Sequence, residues 1–260
     1  ESPSVTPNIL ILGDSRAKAD LMPKLLGEDV VNLAIGGATS IEMYYTLEHY
    51  LTANEAPETV LLMFAQFHYT DIDNFWERTI YFNYLDTAET LEVFRTANEL
   101  KDPVVSTDTQ LLDFISYKLR LPHKYLPAMY NSGFIGRFET NRALYAKLQE
   151  TRGYALFGTA DGCDYLNYES NYTSLEASLL ADVYLRKLLD LCSARSINVI
   201  LEQPPMNEAS YQQLDAAYVS EYSSYLEALS EDYPAVLIQT QIPCYDNRFF
   251  GDSSHLNTEG

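Results

Sequence analysis

Residues 8–12 read Asn-Ile-Leu-Ile-Leu and are followed at once by Gly13-Asp14-Ser15. A short, branched, apolar run stopped by turn residues reads as a buried strand of a parallel sheet. Four further runs have the same character. They are 29–35 (DVVNLAI), stopped by Gly36-Gly37, 58–65 (ETVLLMFA), 197–202 (INVILE), stopped by Pro204-Pro205, and 235–239 (AVLIQ). Helical patterns separate them. Thr39-Ser40 caps a run over 41–51 with Glu42 in its first turn. Stretch 175–194 carries leucines at helical spacing, and 208–229 precedes the fifth run. Strands that alternate with helices build βαβ units, so the expected class is α/β with a five-stranded, mostly parallel sheet.

The interval 73–173 breaks this rhythm. It is rich in aromatics and has helical stretches at 107–119 and 136–150, but no convincing strand pair. It reads as one helical insertion between the third and fourth strands of a single domain spanning 1–260. Open α/β sheets bind ligands beyond the carboxyl ends of their strands, so an insertion leaving that edge is expected to form a cap over the site.

Composition narrows the function classes. The 260 residues are 47% hydrophobic and 21% charged, which fits a folded globular chain and excludes wholesale disorder. Seventeen Lys and Arg against 37 Asp and Glu give a formal charge of −20. A field of that sign repels nucleic acid and anionic membrane surfaces. Cys163, Cys192 and Cys244 are too few and scattered for a disulfide framework or a zinc site, and Cys192 to Cys244 is the pairing expected if one bridge forms. No apolar run reaches the ~18 residues a membrane span requires. The chain opens Glu-Ser-Pro-Ser-Val-Thr-Pro, which reads as a linker from something upstream, with a membrane anchor the expected partner.

The chemistry sits at the strand ends. Ser15 follows the first strand, where a helix is expected to begin and to point backbone N–H groups at any anion formed beside it. A serine hydroxyl becomes a nucleophile when a base takes its proton. The stretch 250–260 (FGDSSHLNTEG) supplies one, with Asp252 three residues before His255, so that the carboxylate can orient an imidazole facing Ser15. Helix capping by Asp14 and Ser15, and a solvated loop histidine, are the plainer uses of these residues. Gly36-Gly37 is either simple turn chemistry or a place where a backbone N–H approaches the nucleophile. The N–H groups of Ser15 and Gly37 are the candidate oxyanion donors.

These three blocks, Gly13-Asp14-Ser15, Asn32 to Thr39 and Asp252 to His255, resemble the SGNH (GDSL-like) hydrolase superfamily over roughly residues 8–70 and 175–260. The resemblance implies a flavodoxin-like three-layer α/β/α sandwich, Ser15 as nucleophile, His255 and Asp252 as base and acid, and Gly37 in the oxyanion hole. It implies neither a metal nor an organic cofactor. The family's usual Gly-x-Asn-Asp after the third strand is missing. In its place stands Phe64-Ala65-Gln66-Phe67-His68-Tyr69, where Gln66 or His68 is the candidate third donor, and a strand-end cap is the other use of His68.

The strings GDSRAK and NLAIGGATSIEMYYTLEHYL look like one bacterial branch of that superfamily, the polysaccharide O-acetyltransferases and teichoic-acid D-alanyl-transfer proteins. That likeness implies serine-dependent O-acyl transfer, acetyl being the expected group, to an extracytoplasmic polysaccharide. It also implies an acyl donor, a membrane-bound O-acyltransferase as partner, and a membrane-anchored location at the cell surface or periplasm. A carbohydrate deacetylase or general esterase shares the same acyl-enzyme, and a catalytically inactive glycan-binding scaffold is the non-enzymatic alternative. Tyr69, Phe75, Trp76 and Tyr81 are candidate faces for a pyranose ring, with core packing the competing use. Arg16 and Arg78 are candidates to hold a substrate carboxylate or phosphate, with a structural ion pair the alternative.

Overall fold

A computed structural model of the chain describes residues 7–72, 75–123, 126 and 137–260. The start at 1–6, read above as a linker, lies outside them. The described strands are β1 (Ile9–Gly13), β2 (Val30–Asn32), β3 (Thr59–Met63), β4 (Asn198–Glu202), β5 (Met206–Asn207), β6 (Leu237–Ile238) and β7 (Cys244–Tyr245). Five of them form a sheet in the order β2-β1-β3-β4-β6, and every ladder in it is parallel. That order matches the flavodoxin-like layout. All five expected runs are strands of this sheet. The second is shorter than its apolar run, yet Leu33 and Ile35 still donate their N–H groups to Ile11 and Gly13 of β1.

The described helices are α1 (Ser15–Asp20), α2 (Pro23–Leu26), α3 (Ser40–Ala53), α4 (Thr87–Leu100), α5 (Gln110–Lys118), α6 (Arg137–Glu150), α7 (Leu179–Ala194), α8 (Glu208–Gln213) and α9 (Ala216–Asp232). The start of α3 carries the capping box its sequence announces. Thr39 Oγ1 accepts from the Ile41 N–H at 3.2 Å, and Glu42 accepts from the Thr39 N–H at 2.7 Å. Side chains alternate across a strand, so the two faces of the sheet bury different sets. Leu10, Leu12, Val60, Leu62, Val199 and Leu201 meet residues of α3, α7 and α9 in the larger core. Ile11 and Met63 face the other way and pack with Ala17 of α1, Val30 and Ala34. Helices thus cover the sheet on both sides, as a parallel sheet requires.

The chain divides into two compact units. Among the described residues, one holds 7–71, 151–177 and 181–260, including the whole sheet, and the other holds those within 72–150 together with 178–180. The boundaries correct the expectation of one insertion over 73–173, because 151–177 belongs with the sheet. The Asn32 N–H on edge strand β2 donates to Arg152 O at 2.8 Å, and a Cβ on Gly153 (φ +97°) would sit 1.7 Å from Asn32 O. The stretch is loop and turn, with a single 3₁₀ turn at Tyr168–Asn171. The other unit is helical where it is described, with a π-helical turn at Phe75–Ile80 followed by α4, α5 and α6. The pairing of Cys192 with Cys244 does not occur. Both thiols are free, Cys192 inside the core and Cys244 exposed on β7. No described helix is long and apolar enough to cross a membrane.

Candidate active site

The first strand must turn sharply to start α1, and glycine makes that possible. Gly13 has φ +148°, and a Cβ there would lie 1.8 Å from Met63 O and 2.7 Å from the Ala17 Cβ. Asp14 then caps the helix. Its Oδ1 accepts from the N–H groups of Arg16 (2.9 Å) and Ala17 (3.4 Å), and its Oδ2 accepts from the Ala65 N–H beyond the end of β3 (2.9 Å). One buried carboxylate therefore ties together the carboxyl ends of two central strands. Because Asp14 does the capping, the hydroxyl of the half-buried Ser15 is left for another partner.

That partner comes from a loop 240 residues away. Asp252 Oδ1 accepts from the N–H groups of Ser254 and His255, both at 2.8 Å, closing a tight turn. The same carboxylate lies 2.9 and 3.0 Å from His255 Nδ1, and His255 Nε2 lies 2.9 Å from Ser15 Oγ. An Nδ1–H donated to Asp252 leaves Nε2 as an acceptor for the serine proton. Burial pushes the Asp252 carboxyl up. The hydrogen bonds from His255 and the Ser254 N–H outweigh it and hold the group below the usual carboxylate range. A carboxylate kept ionised beside the imidazole stabilises the imidazolium that proton transfer creates.

The second block is pinned beside the hydroxyl. Asn32 Nδ2 donates to Ala17 O (2.8 Å) in α1, and Lys18 Nζ donates to Ala34 O (2.9 Å). The Gly36-Gly37 turn follows. Gly37 adopts φ +74°, a glycine conformation, and a Cβ on Gly36 would lie 3.8 Å from that of Ser15. Among the described residues no acceptor takes the N–H of Ser15 or of Gly37. Both are available to an oxyanion.

Several other expected site residues have different work. Gln66 is fully buried. Its Oε1 accepts from Arg16 Nη1 (2.8 Å) and one of its two Nε2–H groups is donated to Pro204 O (3.2 Å). His68 is buried with Nε2 3.3 Å from Asp14 Oδ2 but out of hydrogen-bond alignment, and burial lowers its pKa against the opposing pull of Asp14. Both side chains are buried, and His68 keeps both ring nitrogens without a hydrogen-bond partner among the described residues. Arg16 is 1% exposed and is paired with Glu169, which is equally buried. It makes the structural ion pair and does not face a substrate. Burial acts to lower the Arg16 pKa, and the charges of Glu169, Asp14 and Asp20 more than offset it. Tyr69 packs edge-on against Phe64, Tyr222 and Tyr225 in the larger core.

Trp76 and Arg78 belong to the unit without the sheet. The indole of Trp76 packs against Phe75, Phe94 and Tyr117 and donates to Val104 O (2.9 Å), so it is a core residue there and offers no face to a sugar. Phe75 and Tyr81 are buried in the same unit, and Arg78 is exposed. No group of three or more His, Cys, Asp or Glu side chains that could hold a metal is found among the described residues.

Three residues around Ser15 and His255 had no motif to announce them. Glu169 neutralises Arg16, the residue after Ser15. Phe157 places its ring centroid 5.2 Å from that of His255. Asp20 ends the helix that Ser15 begins, and its Oδ1 accepts from the Leu256 N–H (3.0 Å) next to His255. Its Oδ2 is shielded from solvent without a hydrogen-bond partner among the described residues. Burial raises the Asp20 carboxyl to about 7, against the opposing pull of the Leu256 N–H and of His255. The folded chain therefore keeps a proton that the unfolded chain releases near its ordinary value of 3.8. Stability from this group is full below that value and is lost as pH rises to about 7. Asp20→Asn should flatten this loss. Between about pH 5 and pH 8 the wild-type melting temperature should fall roughly 5–10 °C further than that of the variant. Parallel pH curves for the two proteins would refute the assignment.

No protein-family model matches the chain, and no curated protein matches it.

Proposed function

We propose that this chain is a serine-dependent O-acyltransferase with an SGNH-type fold that moves an acyl group, acetyl as the expected case, onto a hydroxyl of an extracytoplasmic polysaccharide. The observation that carries the reading is the continuous hydrogen-bond chain Ser15 Oγ, His255 Nε2, His255 Nδ1, Asp252, with links of 2.9 Å. His255 takes the Ser15 proton as the oxygen attacks the acyl carbonyl. The Ser15 and Gly37 N–H groups receive the oxyanion, each such donor being worth about 3–4 kcal/mol. The imidazolium protonates the leaving group, and an acyl-serine remains. A sugar hydroxyl then attacks with His255 again as base, forming the sugar ester and returning the proton to Ser15. On this reading the acyl donor is presented by a membrane-bound O-acyltransferase, and the chain works outside the cytoplasm, tethered to the membrane.

The test uses a chromogenic acetyl ester with and without a panel of neutral and uronic-acid oligosaccharides. Intact-mass spectra should show an acetyl adduct on Ser15, and the product sugars should carry acetyl. Free acetate alone would assign a hydrolase. A wild-type protein that never acquires the adduct would remove catalysis by Ser15 altogether.

A further inference from the structure

Segment 155–163 is bound to the loop that carries His255. Ala160 donates to Gly251 O (3.1 Å), Cys163 donates to Asn247 O (2.9 Å), and Asn257 Nδ2 donates to Ala160 O (3.1 Å). At its start Ala155 donates to Lys18 O in α1 (3.2 Å). Between these ties Gly158 and Gly251 meet backbone to backbone. A Cβ on Gly158 would lie 2.8 Å from the Gly251 carbonyl carbon and 2.9 Å from His255 O. A Cβ on Gly251 would lie 2.1 Å from the Gly158 carbonyl carbon. Only glycine at both positions permits this approach.

The residue this contact delivers is Phe157. Its ring is inclined 60° to the imidazole, yet 44% of the residue stays exposed. A solitary exposed apolar side chain is ordinary on a protein surface. This one differs because its backbone is fixed against the loop that carries His255 and its ring lies beside the imidazole. The aromatics expected to serve a sugar, Tyr69 and Trp76, are 5% and 8% exposed.

Resting on the acyl-transfer reading above, we propose that Phe157 is the wall of the acceptor subsite, the surface on which the C–H face of a pyranose stacks while one of its hydroxyls reaches His255 Nε2. A hydroxyl that His255 is to deprotonate must come within roughly 3 Å of that nitrogen. The sugar ring bearing it then lies over the neighbouring aromatic face. The same face gives water nothing to hold, so it favours a sugar as acceptor over hydrolysis.

The experiment compares wild type, Phe157→Ala and Phe157→Trp in two half-reactions. One is acetyl loading of Ser15 from the chromogenic ester. The other is transfer from the acetylated protein to the oligosaccharide panel. For Phe157→Ala the loss in transfer should exceed any change in loading by about tenfold, appear chiefly in KM, and be accompanied by a larger hydrolysed fraction. Phe157→Trp should restore transfer, and the pH profile of loading should keep its shape. Equal losses in loading and transfer, or a displaced pH profile, would mean that the ring only orients the imidazole and would overturn the proposal. Unchanged transfer would also overturn it. If wild type loads but only hydrolyses, oligosaccharide binding is read by saturation-transfer NMR on Ser15→Ala. Signal that survives Phe157→Ala in that background, or signal absent from the start, defeats the subsite while leaving the acyl-serine reading intact. A wild type that never loads defeats the acyl-transfer reading and the subsite with it.

Discussion

Ser15→Ala is expected to reduce acetyl loading and transfer to background, a loss on the order of 10⁴–10⁶-fold in kcat, because residues that act as one unit fail together. The fold should hardly notice. Asp14, not Ser15, caps α1, and Ser15 is half-buried with its hydroxyl directed at His255. A change in unfolding free energy within about 0.5 kcal/mol is therefore expected. His255→Ala should match Ser15→Ala in rate. Asp252→Asn should cost less, on the order of 10⁴-fold, since it leaves the geometry and spoils the tautomer. The readouts are intact mass after ester treatment and the rate of sugar acetylation. Full acetyl incorporation by Ser15→Ala would eliminate the proposed nucleophile.

Glu169→Ala should destabilise the fold severely. It strands the Arg16 guanidinium in the interior with Gln66 as its remaining close side-chain partner, and breaking a buried pair from one side costs about 3–5 kcal/mol. Chemical denaturation with a shared slope should show that loss. Arg16→Met alone should be comparably harmful, because Glu169 and the nearby Asp14 would face no compensating charge. The pair Arg16→Met with Glu169→Leu should recover much of it, since apolar residues of similar volume often replace a buried pair with little penalty. If each single change cost under about 1 kcal/mol, water would have to reach the pair and its burial would be wrong.

The arrangement was readable where the signal was local. The five sheet strands show because each apolar run is long enough to be bounded by its own turn, as Gly13 and Gly36 bound theirs. Strands β5 and β7 have two residues each, too few for any periodicity, and exist because Met206 and Cys244 come together in space. Asp252 and His255 could be paired on paper since three residues separate them and one turn joins them. Their partnership with Ser15 could be anticipated because both groups follow strands at the carboxyl edge. Glu169 could not be foreseen, because it meets Arg16 across 153 positions with no pattern linking the two. Residue type also says nothing about exposure. Arg16 and Trp76 have the chemistry to grip a substrate, and tertiary packing buries both. The return of 151–177 to the sheet is likewise set by Gly153 and Gly158 fitting against distant backbone, which no hydrophobic period encodes.

The hydroxyl and the imidazole stand 240 positions apart, and the strands between them must register before they touch. On the acyl-transfer reading, Ser15 stays an ordinary alcohol until the stretch that carries Asp252 and His255 has docked beside it. A fragment that lacks residues 252–255 would then hold the alcohol without its base and load no acyl group.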